Sequence, residues 1–137
     1  MSQPFIFIGT HRLKEGKLEA AKQLAAGLTQ LVEPNEPRVI GFDVYCNEGG
    51  TEVSVVQIHP DADSMLFHMQ LLREHISSAS DDESPLDVTT NVQVYGTLGD
   101  DVLAMIRQFN PEGTPLIVKP RPLGGFVRSA AEQAVTS

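Results

Sequence analysis

The sequence has little with which to cross-link itself or to hold a metal ion. Its 137 residues include one cysteine, Cys46, four histidines and no tryptophan. A single thiol excludes an intrachain disulfide and a multi-cysteine zinc cage. His68 and His75 stand seven residues apart, whereas helical zinc motifs place two histidines four residues apart. We therefore expect no metal site.

Long apolar runs and excess positive charge are also absent. The longest apolar stretches, such as Phe5–Ile8, are far shorter than the roughly 18 residues that a membrane-spanning helix needs. The first residues lack the basic and apolar segments of a secretory signal. Ten basic against 18 acidic residues give a net charge of −8, which repels phosphate backbones. We expect a cytoplasmic protein that binds neither membranes nor nucleic acid.

Motifs for nucleophilic catalysis and for nucleotide binding are missing as well. No serine lies in a Gly-x-Ser-x-Gly turn, and Cys46 has no basic neighbour that could activate its thiol. Gly124 and Gly125 belong to neither a phosphate loop nor a dinucleotide-binding fingerprint. The sequence therefore predicts no bound cofactor.

The apolar residues that are present follow the periods of strands and helices. Runs rich in β-branched and aromatic residues predict strands over 5–10, 39–46, 51–59 and 88–96. Apolar positions three or four residues apart predict helices over 14–32 and 62–76. Pro34 and Pro37 are expected to end the first helix, because proline lacks an amide donor. Asp61 or Asp63 is expected to cap the second helix.

This order of elements, β-α-β-β-α-β, predicts an α+β fold of the ferredoxin-like class. Residues 1–98 would form a four-stranded antiparallel sheet with two helices on one face. Residues 99–137 would add a helix over about 100–109 and an extended arm, in which the flanking prolines favour an edge strand or a free arm over a central strand. The polar, acidic segment 77–85 is expected to be a mobile loop.

Two helices can cover only one face of such a sheet. The other face keeps an apolar set from alternate strand positions, either Phe5 and Phe7 or Ile6 and Ile8 in the first strand. Burying that set against a second copy is favourable, at roughly 25 cal/mol per Å². The pattern predicts a homodimer that packs sheet on sheet.

Histidines are the first candidates for chemistry, because imidazole titrates near neutral pH. His68 and His75 stand two turns apart on one edge of the second helix, where they either share a pocket wall or cap the edge of the core. His11 and His59 are placed at the ends of the first and third strands. A structural role at the surface is the simpler interpretation of both.

Two strands carry a polar set on one face. Tyr45 shares its face with Asp43, and Tyr95 shares its face with Asn91 and Gln93. These sets either line a wet cavity or point to solvent. The sequence does not decide between the two, because a shift of the strand by one residue exchanges its two faces.

Three segments resemble the antibiotic biosynthesis monooxygenase-like domains of the dimeric α+β barrel superfamily. They are the stretch 7–16 before the first helix, the strand 41–45, and the stretch 56–65 that leads into the second helix. The resemblance covers about residues 5–98. Family members commonly carry a tryptophan after the third strand, where this chain has His59. Haem-degrading members carry an asparagine where it has His11.

The resemblance implies a dimeric barrel with one small-molecule pocket per subunit. It further implies a cofactor-independent monooxygenase of an aromatic or quinol-like substrate. His68 matches the histidine often seen in the second helix of the family and would be the catalytic base, with His11, His75, Tyr45 and Tyr95 lining the substrate pocket. A non-catalytic ligand-binding or protein-interaction domain is the alternative, which the missing tryptophan favours, and haem binding is a third.

Overall fold

The computed structural model describes residues 4–76, 84–110 and 112–126. Its elements are β1 (Phe5–Leu13), α1 (Leu18–Asn35), β2 (Gly41–Cys46), β3 (Glu52–His59), α2 (Ala62–Ile76), β4 (Leu86–Tyr95), α3 (Asp100–Phe109) and β5 (Leu116–Lys119). The predicted βαββαβ order and the C-terminal helix are confirmed. Most of the segment predicted as a mobile loop lies outside the described residues, as does the arm beyond residue 126.

The strands form one sheet in the order β2-β3-β1-β4-β5. The first four are antiparallel, as predicted, whereas β5 runs parallel to β4. Parallel neighbours need a crossover connection, and α3 supplies it. The predicted edge strand is thus confirmed over Leu116–Lys119, and the sheet is mixed. The division of the chain at residue 98 stays a prediction.

Several element boundaries differ from the predicted ones. The first helix starts at Leu18, because Gly16, with φ 74°, makes a turn after β1. The prediction that Pro34 ends this helix was wrong. Pro34 stands within the last turn, two residues before the Glu36 amide closes the helix end by donating to the Val32 carbonyl at 2.8 Å. The start of α2 is as predicted, with Asp61 accepting a hydrogen bond from the Ser64 amide at 3.0 Å.

The helices lie on one face of the sheet, and the core fills the space between. One cluster of buried side chains joins Phe5 and two β4 valines to α2 and α3, and comprises Phe5, Met65, Val92, Val94, Leu98, Val102 and Ile106. A smaller cluster under α1 comprises Leu13, Ala21 and Val53. No helix among the described residues is long and apolar enough to cross a lipid bilayer.

The opposite surface, called the open face below, carries the alternate residues of each strand. Because Phe5 and Phe7 pack toward the helices, Ile6 and Ile8 belong to this face. The register pairs Ile6 with Ile58 and Ile8 with Val56, so that four aliphatic side chains stand together at its centre. Their polar neighbours are Asp43, Tyr45, Asn91, Gln93 and Tyr95.

Gly96 ends β4 at a point where the chain passes very close to β1. Its φ is 113°, and a Cβ there would lie 2.8 Å from both the Phe5 Cβ and the Pro4 carbonyl oxygen. We expect Gly96→Ala to lower the free energy of unfolding by about 3 kcal/mol, from backbone strain and overpacking together. Gly99→Ala, at φ 83° but in open space, should cost about 1–2 kcal/mol. If urea unfolding gave the same loss of unfolding free energy for both variants, the close approach of Gly96 to β1 would not be the cause.

Candidate functional site

Five polar side chains are buried together where α2 crosses the sheet beside the end of α1. Each is at most 5% exposed, and they are Glu36, Gln57, His59, Ser64 and His68. Polar groups are stable in a protein interior only when hydrogen bonds replace those they made to water. The five are called the polar network below.

Each member reaches the polar network through the periodicity of its element. In β3, Gln57 and His59 alternate with Val56 and Ile58 and so point toward the helices. In α2, Ser64 and His68 are four residues apart and share one side of the helix. Glu36 follows directly after α1 as its C-cap residue.

His59 is held as a neutral imidazole. Its Nε2 donates to the Gln57 amide oxygen at 2.9 Å, and its Nδ1 accepts from the Ser64 hydroxyl at 2.8 Å. The Phe5 ring stacks on it with centroids 5.3 Å apart. The pKa of His59 is lowered to about 4, mainly by burial and also by the neighbouring His68, while Asp61 opposes both effects.

His68 is paired with a buried carboxylate. Its Nδ1 donates to Glu36 Oε2 at 2.7 Å, and each of the two side chains is 1% exposed. The rings of His59 and Phe42 pack beside His68, with centroids 5.7 and 5.8 Å away. The interaction with Glu36 fixes both the orientation of the imidazole and the ring nitrogen that carries the proton.

The Glu36–His68 pair keeps one unused polar atom at each end. Within the described residues neither Glu36 Oε1 nor His68 Nε2 has a hydrogen-bond partner, and both atoms are buried. An unsatisfied buried group costs about 1–3 kcal/mol. A carboxylate that orients an imidazole whose second nitrogen is unused is an arrangement suited to proton transfer.

Cavities adjoin the polar network at Glu36. Glu36 and Pro37 line a cavity of about 400 Å³ between the end of α1 and the first turns of α2, together with Asn35, Arg38, Asp63, Ser64 and Phe67. The same two residues also line a cavity of about 220 Å³ against α1 and β2. Of the Glu36–His68 pair, Glu36 is therefore the member that adjoins these spaces.

His11 lies in a separate, smaller cavity of about 150 Å³ between the sheet, α2 and α3. Its Nδ1 is 3.0 Å from the Thr89 hydroxyl, and burial lowers its pKa. The missing side chain of Gly9 leaves room for the ring, since a Cβ there would be 3.4 Å from His11 Nε2. Asn110 adjoins the same cavity with a buried amide oxygen that lacks a partner among the described residues.

The structure does not bring the five predicted site residues together. His68 belongs to the polar network and His11 to the smaller cavity. His75 is exposed in the last turn of α2, with Nδ1 3.1 Å from the Leu71 carbonyl oxygen, because two helical turns carry it about 10 Å along the axis from His68. Tyr45 and Tyr95 are on the open face, where the Lys119 ammonium lies 5.9 Å from the Tyr95 ring centroid.

Two predictions about histidines need correction. His59, interpreted as a surface residue, is 0% exposed, because the alternation of β3 turns it toward the helices. His11, placed at the end of the first strand, lies within β1, which continues to Leu13. No group of three acidic, histidine or cysteine side chains in the described parts of the chain could hold a metal ion.

Sequence reasoning missed three members of the polar network. Gln57 carried a signal, since it interrupts the apolar set of Val53 and Val55 on the inward face of β3. Ser64, four residues before His68, also carried one. Glu36 carried none, because an acidic residue in a segment with two prolines is typical of an exposed loop.

No family model and no curated protein matches the chain. Among solved structures it is similar to MupZ from Pseudomonas fluorescens, with 20% identity over 93% of this chain and 91% of that one and a TM-score of 0.69. It is also similar to a protein from Shewanella oneidensis, with 19% identity over 69% of this chain and 91% of that one and a TM-score of 0.57. A third similar structure is a proposed antibiotic biosynthesis monooxygenase from Chloroflexus aurantiacus, with 10% identity over 66% of this chain and 89% of that one and a TM-score of 0.51.

At these identities the likeness concerns the fold. The expected relation to antibiotic biosynthesis monooxygenase-like structures is confirmed at that level. The match with MupZ covers more of the chain than residues 1–98 could supply. It therefore includes part of the region after residue 98. The other two matches cover 69% and 66% of this chain, which residues 1–98 alone could supply.

The lowered pKa of His59 makes stability depend on pH. Between pH 6.5 and about 4 the unfolded chain binds a proton at His59 that the folded chain does not, so stability falls as the pH falls. Across the whole window this loss is about 3 kcal/mol. We expect urea unfolding at pH 7 and pH 4.5 to differ less for His59→Gln than for the wild type. His75→Gln should keep the wild-type difference, and an unchanged difference in His59→Gln would contradict the assignment.

Proposed function

We propose that the chain is a cytoplasmic, homodimeric barrel protein whose Glu36–His68 pair transfers protons on a small organic molecule. The reaction we propose is that of a cofactor-independent monooxygenase acting on an aromatic or quinol-like substrate. The observation that supports proton transfer best is the imidazole of His68, held by a buried carboxylate at 2.7 Å with its Nε2 unpartnered among the described residues.

In this proposal the pair works as one base. His68 Nε2 takes a proton from the substrate, and the net charge of the pair rises by one. The hydrogen bond between the two side chains then stabilises the imidazolium. His68 is the base that the sequence predicted, and Glu36 is the residue that orients it.

The remaining chemistry belongs to the substrate and to molecular oxygen. A CH₂ group next to an electron-rich ring loses a proton to the pair, and the resulting carbanion passes electrons to O₂. The peroxide anion that follows takes the proton back from the pair, and the resulting hydroperoxide loses water and leaves a carbonyl group. One oxygen atom thus enters the substrate, the other leaves as water, and O₂ is the oxidant.

The open face supports the homodimer. Ile6, Ile8, Val56 and Ile58 form an aliphatic centre with a polar rim, and such a face is stabilised by burial against a second sheet. The proposal therefore assigns Tyr45 and Tyr95 to the rim of the dimer interface and removes them from the substrate pocket. It also removes His75, which is exposed at the end of α2.

A second candidate is a non-catalytic ligand-binding domain. The observation that favours it is the closure of the polar network, in which both members of the Glu36–His68 pair are 1% exposed. In that case the pair acts as a structural link between the end of α1 and α2, and a ligand occupies the adjoining cavity without reacting.

Anthrone is a suitable probe for the oxygenase, because its CH₂ group lies between two aromatic rings. We expect the wild type to accelerate O₂ uptake and anthraquinone formation, and we expect His68→Gln to lower the rate about 100-fold, the usual contribution of a positioned base. His75→Gln is the matched control on the same helix and should keep the wild-type rate. Equal rates for both variants would contradict the role of His68, and no acceleration by the wild type would favour the non-catalytic candidate.

The dimer is tested by placing a charge in the aliphatic centre of the open face. We expect sedimentation velocity to give a dimer for the wild type and a monomer for Ile8→Glu, because the carboxylate would be buried without a partner. Leu24→Glu makes the same change on α1, where the side chain is 37% exposed, and should remain dimeric. A monomeric wild type, or a dimeric Ile8→Glu variant, would contradict the proposed interface.

A further inference from the structure

The cavity of about 400 Å³ beside Glu36 is a groove between two helix ends. It is called the α1–α2 groove and is lined by Asn35, Glu36, Pro37, Arg38, Asp63, Ser64 and Phe67. Its volume falls within the range of small-molecule pockets, about 300–1,000 Å³. Phe67 contributes an aromatic side chain that is 52% exposed.

Most polar side chains of the α1–α2 groove already have partners. The Asn35 amide donates to the Leu31 carbonyl at 2.8 Å, and the Arg38 guanidinium is paired with Asp61. The Ser64 hydroxyl donates to His59.

Glu36 differs from these residues. Its Oε2 accepts from His68, but its Oε1 is buried and lacks a partner within the described residues. The groove thus holds one strong hydrogen-bond acceptor that a ligand could satisfy.

We propose that the α1–α2 groove binds the aromatic substrate through a hydroxyl or amino group that donates a hydrogen bond to Glu36 Oε1. The ring then packs against Phe67, and the polar group is held at Glu36, the partner of His68. This inference rests on the proposed function and names the polar group that tightens substrate binding.

The charges around the groove argue against an anionic ligand. Glu36 and Asp63 both line it, and an anion would meet their carboxylates at short range. Arg38 is the cation among the lining residues, and its guanidinium is already paired with Asp61. A neutral or cationic donor therefore fits the groove, whereas a carboxylate or phosphate does not.

Three probes of nearly the same shape distinguish a neutral donor, a neutral compound without a donor and an anion. They are 1-naphthol, 1-methoxynaphthalene and 1-naphthoate. In titrations followed by calorimetry or amide chemical shifts, we expect 1-naphthol to bind at least about tenfold more tightly than the methyl ether, which cannot donate. The naphthoate should bind more weakly than both. Equal binding of naphthol and its ether, or tightest binding of the naphthoate, would overturn the inference.

Two variants locate the site. In Glu36→Gln the amide oxygen accepts from His68, and an NH₂ group, which cannot accept, replaces Oε1, so the preference for naphthol over its ether should disappear. Because that change also affects His68, a second variant, Phe67→Ala, tests the groove without touching the polar network and should weaken naphthol binding. Val88→Ala, at a β4 residue that is 46% exposed and outside the groove, should bind like the wild type. Wild-type naphthol binding by Phe67→Ala would overturn the inference.

These outcomes can be told apart from failure of the proposed function. A naphthol preference without anthrone turnover would reject the oxygenase and retain the groove. Anthrone turnover that depends on His68, without any naphthol preference, would retain the oxygenase and reject the groove.

Discussion

A hydrogen bond between two buried side chains links the parts of this molecule on which its proposed chemistry depends. Glu36 ends α1, His68 lies in the middle of α2, and the two side chains meet at 2.7 Å over the inward face of the sheet. Burial makes such a pair costly to break, because either partner alone would be left as an unpaired polar group in the interior. The positions of the two helices relative to each other are therefore tied to the geometry of one imidazole.

His59 provides the second support of this arrangement. It bridges Gln57 in its own strand and Ser64 in α2, while its ring stacks on Phe5 and meets the edge of His68. Burial keeps His59 uncharged, as its pKa of about 4 indicates. A neutral imidazole there gives His68 a polarisable neighbour without a competing positive charge. In the proposed function the two histidines therefore have different tasks, one structural and one in proton transfer.

The secondary structure was largely predictable, because strands and helices here follow local periodicity. β3 alternates, α2 repeats its apolar residues every three or four positions, and Asp61 caps α2 as its position suggested. The wrongly predicted end of α1 has a local cause too, since Pro34 is accommodated in the final helical turn. The parallel pairing of β5 follows from α3, which carries the chain back along β4.

The sequence by itself determined the elements and the one-sided placement of the helices, and it singled out His68 as a candidate. Only the tertiary structure decided which alternate residues of each strand face the helices, because an alternating pattern defines two faces and does not say which of them is covered. That choice placed His59 inside and Tyr45 and Tyr95 outside. It also brought Glu36 to His68 across 32 positions of the chain, a contact that no local pattern encodes, since it depends on where α1 ends against a sheet formed by distant strands.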